Sequence, residues 1–145
     1  MSLVLTKEQI EQIEREGAAA YPNECCGAML GQDSHGASGV TRRVLELRKL
    51  ANSFTADERY HRFSLDGREL MELEKSAGQA NLMVLGFYHS HPDAPARPSE
   101  YDRTHAWPFY SYVIVSIAKG RAVDLTSWQL DETTEQFTAE TITRE

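Results

Sequence analysis

Residues 86–102 read GFYHSHPDAPARPSEYD, which places two histidines at the end of an apolar run and three prolines directly behind them. Side chains alternate between the two faces of a β-strand, so His89 and His91 are predicted to point to the same side. Zinc binds imidazole nitrogen at about 2.0–2.1 Å, and a catalytic zinc site needs a third protein ligand and an open position for water. The pair is therefore predicted to form half of a metal site. The competing interpretation is a turn that carries two surface histidines.

Asp102 is the nearest candidate for the third ligand. A helix that begins at Pro98-Ser99 would hold Ser99 and Asp102, three residues apart, in its first turn. The prolines at positions 92, 95 and 98 restrict the loop that joins this turn to the histidines. The sequence thus predicts an open set of two histidines and one aspartate, which would lower the pKa of a bound water to about 7. Ser-x-x-Asp is also a common helix-capping pattern, and the two interpretations are compatible.

A hydrolytic site also needs a group that accepts and returns a proton, and the chain offers 22 acidic residues for this role. Glu24 lies just before the apolar run at residues 26–31, where its carboxylate would be drawn partly into the core. Composition alone does not select it, and an exposed carboxylate at a strand start is the alternative. For His105, the alternatives are a spare ligand, a group that contacts a ligand, and a packed helix residue with a polar tip, and the last is predicted. Cys26 is predicted to share the strand face of Glu24, so it could lie near the metal.

The whole chain predicts an α/β (α+β) fold in a single domain, residues 1–145, with a central mixed sheet flanked by helices. The first helix is predicted to begin after Thr6, which forms a capping-box pattern with Gln9, and to stop at Tyr21-Pro22. A second helix is predicted at residues 66–77, and a loop at residues 32–39. The predicted strands are 26–31, 40–47, 81–88, 110–117, 122–130 and 137–142, with a loosely alternating candidate at 59–64.

Charge and cysteine content exclude several classes of function. A net charge of −7 argues against nucleic acid or an anionic membrane surface as the partner, because both attract basic patches. The two cysteines, Cys25 and Cys26, are adjacent and cannot cross-link the fold as secreted frameworks do. The sequence contains no run of 18 apolar residues, and its first residues lack the pattern of a signal peptide. A cytoplasmic location is therefore predicted.

The candidate residues together resemble the JAMM motif of the MPN-domain metallopeptidases. The matching positions are Glu24, His89-Ser90-His91, Ser99 and Asp102, and the flanking segments 21–27, 85–88 and 112–116 are also similar to those of small stand-alone bacterial members. The similarity extends over roughly residues 5 to 130 and implies an MPN-like domain. It also implies that His89, His91 and Asp102 hold one Zn²⁺ per chain, that Glu24 moves the proton of the zinc-bound water, and that Ser99 donates a hydrogen bond to the oxyanion.

The resemblance further implies a peptide or isopeptide bond as the substrate, cleaved after the C-terminal Gly-Gly of a ubiquitin-like or sulfur-carrier protein. Two alternatives stay open. One is a non-catalytic MPN scaffold for protein interactions, and the other is a zinc peptidase that acts on other peptides, such as those of the cell wall. A zinc deaminase does not fit, because the sequence lacks the His-x-Glu and Pro-Cys-x-x-Cys patterns of that class.

Overall fold

In the part of the chain that the structure describes, a sheet of seven strands carries three helices. The computed structural model describes residues 2–37, 39–50 and 65–145, and every helix and strand named below lies in those ranges. The helices are α1 (Lys7–Ala20), α2 (Gly67–Gln79) and α3 (Glu100–His105). The strands are β1 (Ser2–Leu5), β2 (Cys26–Gly36), β3 (Gly39–Lys49), β4 (Met83–Pro92), β5 (Ser111–Ala118), β6 (Arg121–Leu130) and β7 (Phe137–Arg144).

The sheet is mixed, as predicted, and it closes on itself. The strand order is β1-β3-β2-β4-β5-β6-β7, and β1 pairs in parallel with both β3 and β7. The pairing of β4 with β5 is also parallel, and the other neighbours are antiparallel. The apolar pattern does not predict β1, since Leu5 also fits the stripe of the first helix. A four-residue strand is too short to show alternation, and its two partners lie about 40 and 140 residues further along the chain.

Two strands extend beyond their predicted ends. β4 continues through both histidines to Pro92, so the histidines lie within the strand rather than after it. β2 continues to Gly36, so the loop predicted at residues 32–39 is wrong over most of its length. The polar second half of β2 pairs residue by residue with β3 and ends with Gly36 opposite Gly39. Backbone hydrogen bonds form this ladder, so apolar side chains are not required. The strand predicted at 59–64 lies outside the described residues.

Both long helices begin at predicted positions and pack on the sheet through apolar stripes. Capping boxes at Thr6 and Asp66 satisfy the first N–H groups of α1 and α2. The buried stripe of α1 joins the apolar cluster that contains Val115 and Ile117, whereas that of α2 joins a second cluster around Phe87. In the described ranges, no helix combines the length and the apolar character needed to cross a membrane.

Arg42 is a buried charge that the sequence pattern did not reveal. It lies in β3 with only 2% of its surface exposed, and its guanidinium donates to the Leu85 carbonyl and the Ser111 hydroxyl. The Phe109 ring covers the guanidinium at 4.6 Å. A positive φ of 85° at Phe109 is an unusual conformation for an aromatic residue, and it puts the ring over the charge. Arg42 therefore links β3 to the starts of β4 and β5.

Gly86 allows β4 and β5 to approach at the point where their parallel pairing begins. Gly86 lies opposite Ser111, and a Cβ atom at Gly86 would fall 1.8 Å from the Ser111 carbonyl oxygen. That oxygen belongs to the backbone and cannot rotate away. The register that carries the histidines past β5 therefore depends on the absence of a side chain at Gly86.

We expect Gly86→Ala to destabilise the metal-free protein by about 3 kcal/mol, because the added methyl group overpacks the β4–β5 pair. Gly36→Ala is the matched control, since a Cβ atom at Gly36 meets nothing within 4 Å. Urea denaturation of both variants provides the measurement. Equal midpoints for the two variants would contradict the close approach of the two strands.

Candidate metal centre

Three ligand-type side chains converge at one end of the β4–β5 pair. The Nε2 atoms of His89 and His91 are 3.1 Å apart. Asp102 reaches both rings, with Oδ2 at 3.1 Å from His91 Nε2 and Oδ1 at 3.3 Å from His89 Nε2. All three side chains are at least nine-tenths buried. Within the described ranges, this is the cluster of three or more His, Cys, Asp or Glu residues that could hold a metal ion.

Strand β4 aims the two histidines, and the proline loop orients one of the rings. His89 and His91 alternate with Ser90, so both imidazoles lie on the face that also carries Phe87. His91 Nδ1 lies 2.9 Å from the Pro95 carbonyl oxygen, which can only accept a hydrogen bond. This contact places a ring proton on Nδ1, so Nε2 is the nitrogen that faces Asp102 and His89. This is the usual way in which a carbonyl fixes a metal-binding imidazole.

The first turn of α3 fixes Asp102. Ser99 is the N-cap: its hydroxyl accepts from the Asp102 N–H, and its own N–H donates to Asp102 Oδ2 at 2.8 Å. The predicted capping box is therefore confirmed. Burial alone would raise the pKa of Asp102, but the charge that His89 can carry and the hydrogen bonds from both histidines and from Ser99 hold it well below its usual range. Asp102 thus stays ionised while it caps the helix.

The same carboxylate raises the affinity of His91 for a proton. Burial favours the neutral ring, but the hydrogen bond to Asp102, the charge of Asp102 and the Pro95 carbonyl outweigh burial and raise the pKa of His91. When no metal ion is bound, a proton shared between the imidazole nitrogens and the Asp102 carboxylate holds these groups together.

Three successive carbonyls of the proline loop are tied to three different strands. The Ala94 carbonyl accepts from the Ser116 hydroxyl of β5 at 2.5 Å, and the Ala96 carbonyl accepts from the Thr126 hydroxyl of β6 at 2.6 Å. The carbonyl between them, that of Pro95, contacts His91 of β4. The sheet therefore fixes the loop that carries Ser99 and Asp102, and proline stiffness alone does not account for its position.

Glu24 lies just before β2 and is buried. Its exposed fraction is 7%, and its Oε1 has no hydrogen-bond partner among the described residues. Burial, and then the negative charge of Asp102, raise the pKa of Glu24 to about 9. The carboxyl group therefore holds a proton at neutral pH in the metal-free protein. A buried carboxyl oxygen without a partner costs free energy, which keeps Glu24 a candidate functional residue.

The donor set fits a zinc ion. Two neutral imidazole nitrogens and a carboxylate are ligands of catalytic zinc, and ligand atoms at 2.0–2.1 Å on a tetrahedron would be roughly 3.3 Å apart. The separations of 3.1, 3.1 and 3.3 Å are close to that value. The three protein ligands would leave a fourth position for water, and the partnerless oxygen of Glu24 is a suitable acceptor for a proton from that position.

A small apolar pocket of about 10 Å³ adjoins the cluster. His89, Asp102 and His105 lie in its wall, and the other lining residues include Phe87, Pro98, Trp107, Tyr112, Ile114 and Phe137. The walls beside the two candidate ligands are therefore mostly apolar.

The structure brings together the predicted ligands and leaves two other candidate residues outside the ligand set. Ser99 and Glu24 lie at the cluster. His105 is exposed, stacks on Tyr101 at 3.8 Å and lines the pocket beside His89 and Asp102, but it does not belong to the ligand set. The prediction of a packed His105 is therefore wrong. Cys26 lies opposite His89 in the β2–β4 pairing, but its thiol contacts the Leu50 carbonyl and lies in the apolar cluster around Phe87.

The sequence does not identify the residues that support the site through hydrogen bonds to backbone groups. Ser116 and Thr126 contact loop carbonyls, and Ser90 binds the backbone of Cys25. Ser90 stood inside the motif without a role, and nothing in the local pattern of Ser116 or Thr126 distinguishes them from ordinary strand residues. Their partners lie 22, 30 and 65 positions away in the chain.

The sequence is similar to proteins of known activity. Residues 6–131 match the family model described as prokaryotic homologs of the JAB domain. A desampylase from Haloferax volcanii is 34% identical over 112 residues, which cover 76% of this chain and 75% of the relative. A desampylase from Pyrococcus furiosus is 30% identical over 87 residues, which cover 59% of this chain and 54% of the relative.

Solved structures share the fold. A protein from Desulfitobacterium hafniense superposes with a TM-score of 0.77 at 31% identity, covering 100% of this chain and 93% of that one. A protein from Salinibacter ruber gives 0.70 at 37% identity, covering 100% and 92%. A JAB1/MPN domain protein from Archaeoglobus fulgidus shares the fold at a TM-score of 0.58 and 17% identity, covering 98% of each chain. With the family model matched over 6–131, the chain belongs to the JAB/MPN family, as one of its prokaryotic members.

Proposed function

We propose that this protein is a zinc-dependent hydrolase that cleaves a peptide or isopeptide bond after the C-terminal Gly-Gly of a ubiquitin-like or sulfur-carrier protein. One observation carries the proposal: an open His, His and Asp cluster adjoins a buried glutamate whose Oε1 lacks a partner among the described residues. The two relatives named desampylases support a hydrolase of the JAB family that acts on a ubiquitin-like modifier. One Zn²⁺ per chain and a cytoplasmic location remain predictions.

Each residue of the site would have a distinct task. His89, His91 and Asp102 would hold the ion, which when bound supplies Lewis acidity and a water of lowered pKa. Glu24 would take one proton from the attacking water and give it to the leaving amine as the carbon–nitrogen bond breaks. The Ser99 hydroxyl accepts from the Asp102 N–H and keeps its own O–H for the charged oxygen that develops on the scissile carbonyl.

The narrow pocket favours a substrate with small residues at the scissile bond. Its apolar and aromatic walls lie beside His89 and Asp102 and leave only about 10 Å³, so a Gly-Gly segment would meet fewer obstacles there than a segment with side chains. An extended segment can also pair its peptide groups with a strand edge. Cell-wall peptides carry side chains at the corresponding positions and are the second candidate substrate.

The catalytic proposal and a non-catalytic scaffold differ in metal content. We expect close to one equivalent of zinc per chain after purification without added metal, and at least a tenfold loss of zinc affinity in His89→Ala. His35→Ala is the control, because His35 is exposed, lies outside the ligand set, and has its Nε2 at 3.4 Å from Asp33 Oδ2. Elemental analysis and competition with a chromophoric chelator give the two numbers. Less than about a tenth of an equivalent, unchanged by His89→Ala, would favour the scaffold.

Glu24→Gln tests the proton transfer. The amide has nearly the same shape but cannot accept the proton, so we expect kcat to fall by about 10²–10⁴-fold while zinc content is unchanged. Glu16→Gln is the control, since Glu16 accepts from the Tyr88 hydroxyl away from the metal ligands. Cleavage of a small carrier fused through Gly-Gly to a reporter provides the assay. Equal rates for the wild type and Glu24→Gln would remove Glu24 from the mechanism.

Glu24 should also make the stability of the metal-free protein depend on pH. The folded side chain keeps its proton up to a pKa of about 9, whereas the unfolded side chain loses it near 4.5. The folded state therefore binds more protons between these values, and the free energy of unfolding falls as pH rises through this interval. Glu24→Gln should remove this contribution, on the order of 1.4 kcal/mol per pH unit. Denaturation curves at pH 5, 7 and 8.5 measure it, and parallel pH profiles would contradict the assignment.

A further inference from the structure

Ser90 lies between the two candidate metal ligands but faces the other side of the sheet. It is fully buried, and its Oγ accepts from the Cys25 N–H at 2.8 Å. Its own N–H donates to the Cys25 carbonyl at 3.1 Å. One residue of β4 therefore satisfies both backbone polar groups of Cys25.

These two bonds extend the contact of β2 with β4 by one residue. The ladder between the strands begins with Cys26 opposite His89, so Cys25 lies just outside it. Without the Ser90 hydroxyl, the backbone bond from the Ser90 N–H to the Cys25 carbonyl would remain, but the Cys25 N–H, which is the nearer of the two groups to Glu24, would lose this partner. The Ser90 hydroxyl replaces the next ladder bond with a side-chain bond.

The Cys25 N–H belongs to the peptide that also contains the Glu24 carbonyl. A hydrogen bond to this N–H fixes the plane of that peptide, and with it the direction in which the Glu24 side chain leaves the backbone. Glu24 has no such restraint from its own Oε1, which lacks a partner among the described residues. A restraint on the position of the carboxylate therefore acts through the backbone, at the Cys25 peptide.

We propose that Ser90 is a positioning residue for Glu24, which it holds at the metal centre through the Cys25 peptide. The inference rests on the proposed function in that Glu24 handles the proton, but the restraint itself is a property of the metal-free protein. Ser90 would thus have a task separate from those of its neighbours: His89 and His91 hold the ion on one face of β4, and Ser90 holds the base from the other face.

The test compares Ser90→Ala with the wild type and with Ser127→Ala. Ser127 is a matched control because it is also a buried strand serine, and its hydroxyl donates to Glu140. We expect Ser90→Ala to lower kcat by at least about 10-fold, since small displacements of a catalytic group cost about that much or more. KM and zinc affinity should each stay within about threefold of the wild type, because the three ligands are untouched. Ser127→Ala should change none of these quantities.

Two further variants guard against a misfolded protein. Ser90→Thr keeps the hydroxyl and should recover most of kcat. Ser90→Cys keeps the volume but offers a weak acceptor, so it should lose activity as Ser90→Ala does. If Ser90→Ala does not fold, the comparison of Ser90→Cys with Ser90→Thr decides the question.

Amide hydrogen exchange gives a readout that does not depend on activity. In the metal-free protein we expect the Cys25 N–H to exchange at least about 10-fold faster in Ser90→Ala than in the wild type, while the Ala28 N–H is unchanged. An inert wild type would refute the proposed function, and the exchange of Cys25 would still test the restraint. Unchanged exchange, unchanged kcat, or a loss of zinc affinity parallel to the loss of kcat would each overturn the positioning role.

Discussion

The antiparallel register of β2 on β4 is the constraint on which the candidate site depends. It places Cys26 opposite His89 and thereby brings a glutamate and two histidines together across some 65 residues of chain. The register is set by close packing: Gly27 has room for the Tyr88 ring only because it lacks a side chain, and Gly86 gives β4 its approach to β5. A one-residue slip would turn both imidazoles to the opposite face of the sheet.

The second support of the site is the proline loop, which the sheet holds at three carbonyls. Hydroxyl groups of β5 and β6 and one histidine ring of β4 bind successive peptide groups of the loop. The helix that follows begins with a cap whose acidic member is also the third candidate ligand. One pair of residues, Ser99 and Asp102, therefore forms the helix start and lies at the candidate metal centre, so the structural and functional interpretations of the Ser-x-x-Asp pattern are compatible.

The pKa values of the two carboxyl groups of the site shift in opposite directions because their environments differ. Asp102 receives hydrogen bonds from both histidines and from a backbone N–H, so its pKa is held low despite burial. Glu24 is buried without a partner at Oε1 among the described residues and next to a negative charge, so its pKa rises to about 9. Two acidic residues with opposite shifts are suited to opposite tasks, one as a permanent ligand and the other as a proton carrier.

The sequence by itself determined the features that repeat locally: the caps at Thr6 and Ser99, the apolar strands, and the spacing of His89, His91 and Asp102. These follow from side-chain periodicity and turn chemistry over a few residues. Only the tertiary structure decided that β1 closes the sheet, that Arg42 is buried, and that His105 stays outside the ligand set. It also decided that Ser90, Ser116 and Thr126 support the site through hydrogen bonds to backbone groups. Apart from His105, which stacks on Tyr101, those outcomes depend on partners 20 to 140 residues away, and no local pattern records which distant group will satisfy a buried polar atom.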